Sequence, residues 1–163
     1  MMTSQTRQTR RSRRFDSLEQ EAFLNLWRTY DRLRVLEDSL FDRYDLTPQQ
    51  YNALRLLRSA HPDKLPTLEL ACRLVSRAPD ITRLLDKLEV RRLIIRDRRA
   101  DNRRVVHVGI TSAGLDLLDE LRDAVRECHV RQLGHLSQRK LNGLIVLLKA
   151  ARGPHEDSDS AWQ

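Results

Sequence analysis

Apolar residues recur every three or four positions over most of the chain, which predicts a largely helical fold. The first such stretch begins at Leu18, after a cap at Asp16 or Ser17, and runs to about Arg43. Its apolar stripe is too long and too broad for a short local core, so it favours contact with a partner subunit. The stripe contains Leu18, Ala22, Leu26, Leu33, Leu36 and Leu40, widened by Phe23, Trp27, Tyr30 and Phe41.

Three shorter helices are predicted next. The first has a strong start signal, because Thr47 can cap it, Pro48 suits the first helical position and Gln50 can reach back to the cap. A short helix then runs from Leu68 to about Leu74, and a basic helix capped by Ser76 runs from Arg77 to about Val90. The basic helix has one apolar face, formed by Ile81, Leu84, Leu85 and Leu88.

The periodicity changes after this helix. Two β-branched runs, 93–96 and 105–110, are separated by eight mostly polar residues rich in arginine, which predicts a two-stranded hairpin with a basic tip. Two more helices follow, one opened by Thr111 and one capped by Ser137 that ends at Gly153. The predicted order is α-α-α-α-β-β-α-α, a mainly α protein.

Charge divides the chain of 163 residues, net charge +7, into three regions. Five arginines and no acid occupy the first fourteen residues, so we expect a basic disordered tail over 1–15. A single folded domain is expected over 16–152, followed by an acidic disordered tail over 153–163. The longest aliphatic run is five residues, and two cysteines make no disulfide framework, so a cytoplasmic protein without a membrane span is expected.

A second basic block identifies the candidate chemistry. Residues 77–104 contain ten cations and five acids, and they cover the basic helix and the tip of the hairpin. Three helices followed by such a hairpin are typical of a winged helix-turn-helix. The basic helix would read base edges in the major groove of DNA, and the hairpin, or wing, would reach the adjacent minor groove.

The sequence resembles the MarR (multiple antibiotic resistance regulator) family of transcription factors over about residues 15–152. The resemblance rests on four segments in the same order and spacing as in the family: 46–54, 81–89, 102–106 and 110–114. It implies a cytoplasmic homodimer in which the long N- and C-terminal helices of each chain interlock. It also implies a pseudo-palindromic double-stranded operator, repression of transcription and release by a small aromatic ligand.

The resemblance also assigns candidate site residues. We expect Arg83 to contact a base and Arg104 to enter or brace the minor groove, while Asp80 and Thr82 either touch a base or stabilise the helix start. The full DNA-binding set is Arg77, Asp80, Thr82, Arg83 and Lys87 on the helix, with Arg98, Arg99, Arg103 and Arg104 on the wing. An effector pocket is expected between the first helix, the second helix and the start of the fifth, lined by Trp27, Tyr30 and Tyr51; the alternative is that these aromatic side chains only form core.

The sequence departs from the family pattern at two positions. Arg92 stands where the family has glycine, which predicts a costly left-handed backbone or a reshaped helix end. Asn102 replaces the usual aspartate of the wing, while Arg104 keeps the partner arginine.

Two other functions stay open at this level. Cys72 or Cys128 would make a redox-sensing regulator, although both are expected to be buried and inert, and a thiol titration of the native dimer distinguishes this case. A winged helix serving only protein interaction would lack specific DNA binding. No catalytic constellation is present and Cys128, His129 and His135 do not have the spacing of a zinc site, so no enzyme activity, metal or cofactor is expected.

Overall fold

The computed structural model describes residues 15–75, 80–98 and 104–156. Six helices and a three-stranded sheet make up these parts of the chain. The helices are α1 (Leu18–Phe41), α2 (Pro48–Ala60), α3 (Thr67–Arg73), α4 (Ile81–Val90), α5 (Ser112–Leu133) and α6 (Gln138–Arg152). The strands are β1 (Leu65–Pro66), β2 (Ile94–Arg98) and β3 (Val106–Ile110), and two short 3-10 turns cover Asp42–Tyr44 and Gly153–His155. Within the described ranges, no helix combines the length and apolar composition needed to cross a membrane.

The chain divides into two compact units, residues 1–35 and 36–163. In the first unit, α1 carries exposed aromatic side chains, and the rings of Phe23 and Trp27 lie 6.1 Å apart. The second unit contains the hydrophobic core. Its most deeply buried side chains come from α2, α3, α4, β2, β3 and α5: Leu54, Leu57, Leu70, Leu85, Leu88, Ile94, Val108 and Leu121.

The sheet has one strand more than the sequence predicts. β3 lies in the centre and pairs antiparallel with β2 on one side and with β1 on the other. β1 is only Leu65 and Pro66, opposite Val108 and His107. Two residues carry no alternating pattern, and proline at a sheet edge removes no ladder hydrogen bond from a central strand. The sequence therefore does not predict β1, which forms because β3 lies beside it and provides the hydrogen-bonding partner.

The predicted helix starts are confirmed at four of the helices. α1 begins at Leu18, and the hydroxyl oxygen of Ser17 accepts from the N–H of Gln20 at 3.1 Å. Thr47 and Gln50 form the reciprocal capping box at α2, with N–H to side-chain oxygen distances of 2.8 and 3.2 Å. Thr111 caps α5 and Ser137 caps α6 through their hydroxyl oxygens. The start of α4 is the exception: α4 begins at Ile81 and Asp80 caps it, so the predicted start at Arg77 is wrong, and Ser76 and Arg77 lie outside the described residues.

Arg92 adopts the left-handed backbone, one of the two alternatives predicted for it, with φ of 58°. The N–H groups of Arg92 and Leu93 donate to the carbonyls of Glu89 and Leu88 at 2.8 and 3.0 Å, the hydrogen-bond pattern of a Schellman helix end. Thr111 holds the same turn from the other side, because its hydroxyl donates to the Arg92 carbonyl at 2.8 Å. This helix end therefore adopts a left-handed Schellman turn without a glycine.

Arg92→Gly is expected to raise the free energy of unfolding by up to about 1.6 kcal/mol. Relief of left-handed strain, about 1–2 kcal/mol, is partly offset by about 0.4–1 kcal/mol of added entropy in the unfolded chain. Urea unfolding measures the difference. Arg92→Ala is the matched control, since it removes the same charge and keeps the strained Cβ, so a glycine variant no more stable than the alanine variant contradicts the strain.

Candidate nucleic-acid interface

The recognition helix α4 has two chemically different faces. Leu85 and Leu88 are buried on one face, with Ile81 and Leu84 half-buried beside them. The other face is exposed, and it carries the predicted DNA contacts Thr82, Arg83 and Lys87 together with Asp86. The burial of the leucines therefore presents two cations of α4 to solvent on one side of the helix.

Asp80 stabilises the start of α4. Its carboxylate accepts a hydrogen bond from the backbone N–H of Arg83 at 2.9 Å, and its own backbone is non-helical at the cap position, with φ of −144° and ψ of 82°. A carboxylate at this end is also favoured by the helix dipole. Between the two roles left open by the sequence, the structure supplies the helix-start role for Asp80.

The wing presents arginines at its distal end. Arg98 is the last residue of β2, and it pairs with Val106, the first residue of β3. Arg98 and Arg104 are both exposed at this end of the hairpin. The other two predicted wing contacts, Arg99 and Arg103, lie outside the described residues, as does Asn102.

Arg96, which no motif of the sequence singled out, clamps the wing to the recognition helix. Its guanidinium donates to Asp86 at 2.6 Å and to Glu89 through two nitrogens, with Nε at 2.9 Å. These hydrogen bonds lower the pKa of the Glu89 carboxyl, so the stabilisation is present above the ordinary glutamate range and is lost as pH falls through the lowered value. Alternation along β2 was the available signal, because Arg96 lies on the same face as buried Ile94.

A second contact anchors the other side of β2. The ammonium group of Lys64 lies 3.0 Å from the carboxylate of Asp97, and this hydrogen bond lowers the pKa of Asp97. The stem of Lys64 crosses Gly109, where an added Cβ would come within 3.0 Å of the Lys64 Cγ. Arg96 and Asp97 are neighbours in β2. Arg96 thus ties the wing to α4, and Asp97 ties it to the segment before β1.

The candidate effector residues have different surroundings. Trp27 and Tyr30 are exposed on α1, at 62% and 60%. Tyr51 is half-buried in the second unit, and its ring stacks on Phe41 with 4.7 Å between the centroids.

The two cysteines differ in burial. The expected burial is confirmed for Cys128, where burial raises the pKa of the thiol. The expectation is wrong for Cys72, which is exposed on α3 because its position faces away from buried Leu70.

These features together define a winged helix-turn-helix protein: helices α2 to α4, a braced hairpin and a basic outer face on α4. The MarR family model matches residues 46–106. The uncharacterized HTH-type transcriptional regulator YkoM of Bacillus subtilis is 30% identical over 141 residues, which span 84% of this chain and 90% of YkoM. A crystal structure of a MarR transcription factor from Planctomyces limnophilus is 55% identical, with a TM-score of 0.67, and covers 84% of this chain and 99% of that one. The chain belongs to the MarR family, and it is a transcription regulator rather than an enzyme.

Two more distant structures share the fold. Sco3205 of Streptomyces coelicolor, solved in complex with DNA, is 15% identical, with a TM-score of 0.78. The match covers 93% of this chain and 97% of the Sco3205 chain. BpsR of Bordetella bronchiseptica, whose DNA binding is regulated by 6-hydroxynicotinic acid, is 19% identical with a TM-score of 0.72, covering 80% of this chain and 98% of BpsR. At these identities the likeness concerns the fold alone.

Proposed function

We propose that this protein is a homodimeric repressor that binds a pseudo-palindromic DNA operator and leaves it when a small aromatic ligand binds. The exposed basic face of α4, held beside a braced wing, is the observation that carries the DNA-binding part. In this proposal Arg83, Thr82 and Lys87 enter the major groove, and Arg104 enters the minor groove. Arg77, Arg98, Arg99 and Arg103 contact phosphates or bases nearby, while Asp80 supports the helix start.

Binding to DNA upstream of its own coding sequence tests the core of the proposal. At physiological salt, a specific site is expected to bind more tightly than the non-specific range of about 10⁻⁴–10⁻⁶ M. A scrambled duplex of the same length and composition is the control. Equal affinity for both duplexes would favour the alternative that this winged helix binds only other proteins. A reporter gene placed behind the same site distinguishes repression from activation.

The dimer is supported by apolar surface that the described single chain leaves uncovered. No residue of α6 is buried, although it carries six large aliphatic side chains. On α1, residues 18–35 are almost entirely exposed and include three aromatic rings and several leucines. Contiguous apolar surface on this scale marks an interaction site in a water-exposed protein. A second copy of this chain is the proposed partner, in agreement with the interlocked helices that the family resemblance implies.

The effector is proposed to be a small aromatic ligand, as the resemblance implies, and more narrowly an aromatic acid, the class that includes the regulator of BpsR. Trp27 and Tyr30 offer exposed aromatic faces, and Tyr51 stacks beside Phe41. Because the chain has two tryptophans, Trp162→Phe leaves Trp27 as the single tryptophan, which long-wavelength excitation selects over the tyrosines.

In the Trp162→Phe protein, an aromatic acid is expected to quench Trp27 fluorescence and to weaken operator binding over the same concentration range. A titration with 6-hydroxynicotinic acid and related acids, read by fluorescence and by operator release, measures both effects. A cyclohexane carboxylate of similar size is the control for charge without a ring. The effector assignment loses its support if no aromatic acid changes either signal.

A further inference from the structure

Arg91 makes a connection that the proposed DNA contacts do not use. It is the residue directly after α4, and its side chain reaches back to the segment that joins α1 to α2. One guanidinium nitrogen donates to the backbone carbonyl of Tyr44 at 3.1 Å, and the other donates to the carbonyl of Asp45. The two partners precede Arg91 by 47 and 46 positions, so this contact joins distant parts of the second unit.

The carbonyls that Arg91 binds belong to a helix end. The 3-10 turn that continues α1 stops at Asp45, which is left-handed at φ 51°. The N–H groups of Asp45 and Leu46 close this end by donating to the carbonyls of Asp42 and Phe41 at 3.2 and 3.1 Å. Helix carboxyl ends leave carbonyls without intrahelical donors and carry partial negative charge. Arg91 supplies the missing donors for Tyr44 and Asp45.

One cation therefore lies at two helix carboxyl ends. Arg91 follows the last turn of α4, and its guanidinium meets the end of the turn that continues α1. The Asp45 carboxylate lies 4.0 Å from the same guanidinium. Two carbonyls side by side require a forked donor, which arginine has and lysine lacks. The side chain is partly shielded from water, at 30% exposure, so these hydrogen bonds compete less with solvent than those of a surface arginine.

We propose that Arg91 is a positioning residue that fixes the carboxyl end of α4 against the α1–α2 junction and so sets how α4 is presented to DNA. The idea rests on the proposed function, because it concerns specific reading of an operator by two copies of α4. A ten-residue helix is about 15 Å long, so a shift of about 1 Å at one end tilts it by about 4°. In a symmetric dimer that tilt changes both recognition helices at once, and half-sites must stay about one helical turn apart.

Arg91→Met tests this role, with Arg92→Met as a matched control. Both variants remove one positive charge at adjacent positions, but only Arg91 donates to the junction, and methionine has no donors. Arg91→Met is expected to lose about tenfold in operator affinity beyond any loss in Arg92→Met, the scale of one charge-assisted hydrogen bond. On a scrambled duplex the two variants should lose equally, because that loss reflects charge alone.

Spacing dependence supplies a readout that a general loss of stability would not change. Three operators are compared: the natural spacing between half-sites, one base pair more and one base pair fewer. The unsubstituted protein should bind the two altered operators more weakly than the natural one. Arg91→Met should show smaller differences in affinity among the three. Arg91→Lys, which retains the charge, should restore scrambled-duplex affinity but not spacing discrimination. Should Arg91→Met fail to fold, this lysine variant carries the test alone.

Two outcomes overturn the proposal: equal operator losses in Arg91→Met and Arg92→Met, or full spacing discrimination in Arg91→Lys. Failure of the proposed function has a different signature. In that case the unsubstituted protein itself binds the operator and the scrambled duplex equally, before any variant is compared.

Discussion

Ile145→Glu is expected to convert the protein from a dimer to a monomer at micromolar concentration. Ile145 lies on α6 beside the half-buried Leu141, Leu144 and Leu148, and it is about half exposed in the single chain. In the proposed dimer a carboxylate at this position would be buried in an apolar interface without a partner, which costs several kcal/mol. The monomer would also lose the gain from binding two half-sites together, about 10²–10⁴-fold in operator affinity.

Sedimentation velocity and operator binding measure the two effects. Asn142→Glu is the matched control, because it adds the same charge at an exposed polar position outside the Leu141–Leu148 stripe of α6. The control should remain dimeric and bind the operator normally. If Ile145→Glu stays dimeric and keeps its operator affinity, α6 is not part of the dimer interface. If the unsubstituted protein is itself a monomer, the proposed dimer is wrong.

Arg83→Ala is expected to weaken operator binding far more than binding to random DNA. Arg83 is exposed on the outer face of α4, where an arginine can form a bidentate pair with a base edge worth about 1–3 kcal/mol. Two copies in a symmetric dimer give an expected loss of about 2–6 kcal/mol on the operator. On a scrambled duplex the loss should be small, because only the sequence-independent attraction to phosphates remains there.

Arg98→Ala provides the contrast within the same interface. Arg98 lies at the end of β2, and we expect it to neutralise phosphate whatever the sequence beneath it. Its loss should weaken binding to both duplexes similarly. It should also flatten the slope of log affinity against log salt by about two, roughly one for each lost phosphate contact in a dimer. Equal losses on both duplexes for Arg83→Ala would show that another face of α4 enters the groove.

Most of the helices follow from short-range features of the sequence. Thr47 with Gln50, Thr111 and Ser137 cap the helices that they were expected to cap. The left-handed conformation of Arg92 is one of the two outcomes predicted there, because the resemblance implies a glycine at this position. Caps and helix ends depend on residues within about four positions of each other, so a linear pattern contains the necessary information.

The start of α4 and the strand β1 show where such patterns fail. Both Ser76 and Asp80 are suitable caps, and the structure uses Asp80 for the helix that begins at Ile81. Leu65 and Pro66 become a strand only because β3 lies beside them. When two local signals compete, or when a segment is too short to have a period, packing against the rest of the fold decides the outcome.

The candidate DNA interface divides in the same way. The sequence by itself determined that α4 has an apolar face and an opposite basic face, because a period of 3.6 residues separates Leu85 and Leu88 from Arg83. Only the tertiary structure decided that Arg96 clamps Asp86 and Glu89, and that Arg91 meets Tyr44 and Asp45. A charged side chain could pair with many oppositely charged groups elsewhere in the sequence, so the sequence alone does not select its partner. The burial of the core places particular pairs together, since it brings the ends of α1, α4 and β2 to fixed positions in the second unit.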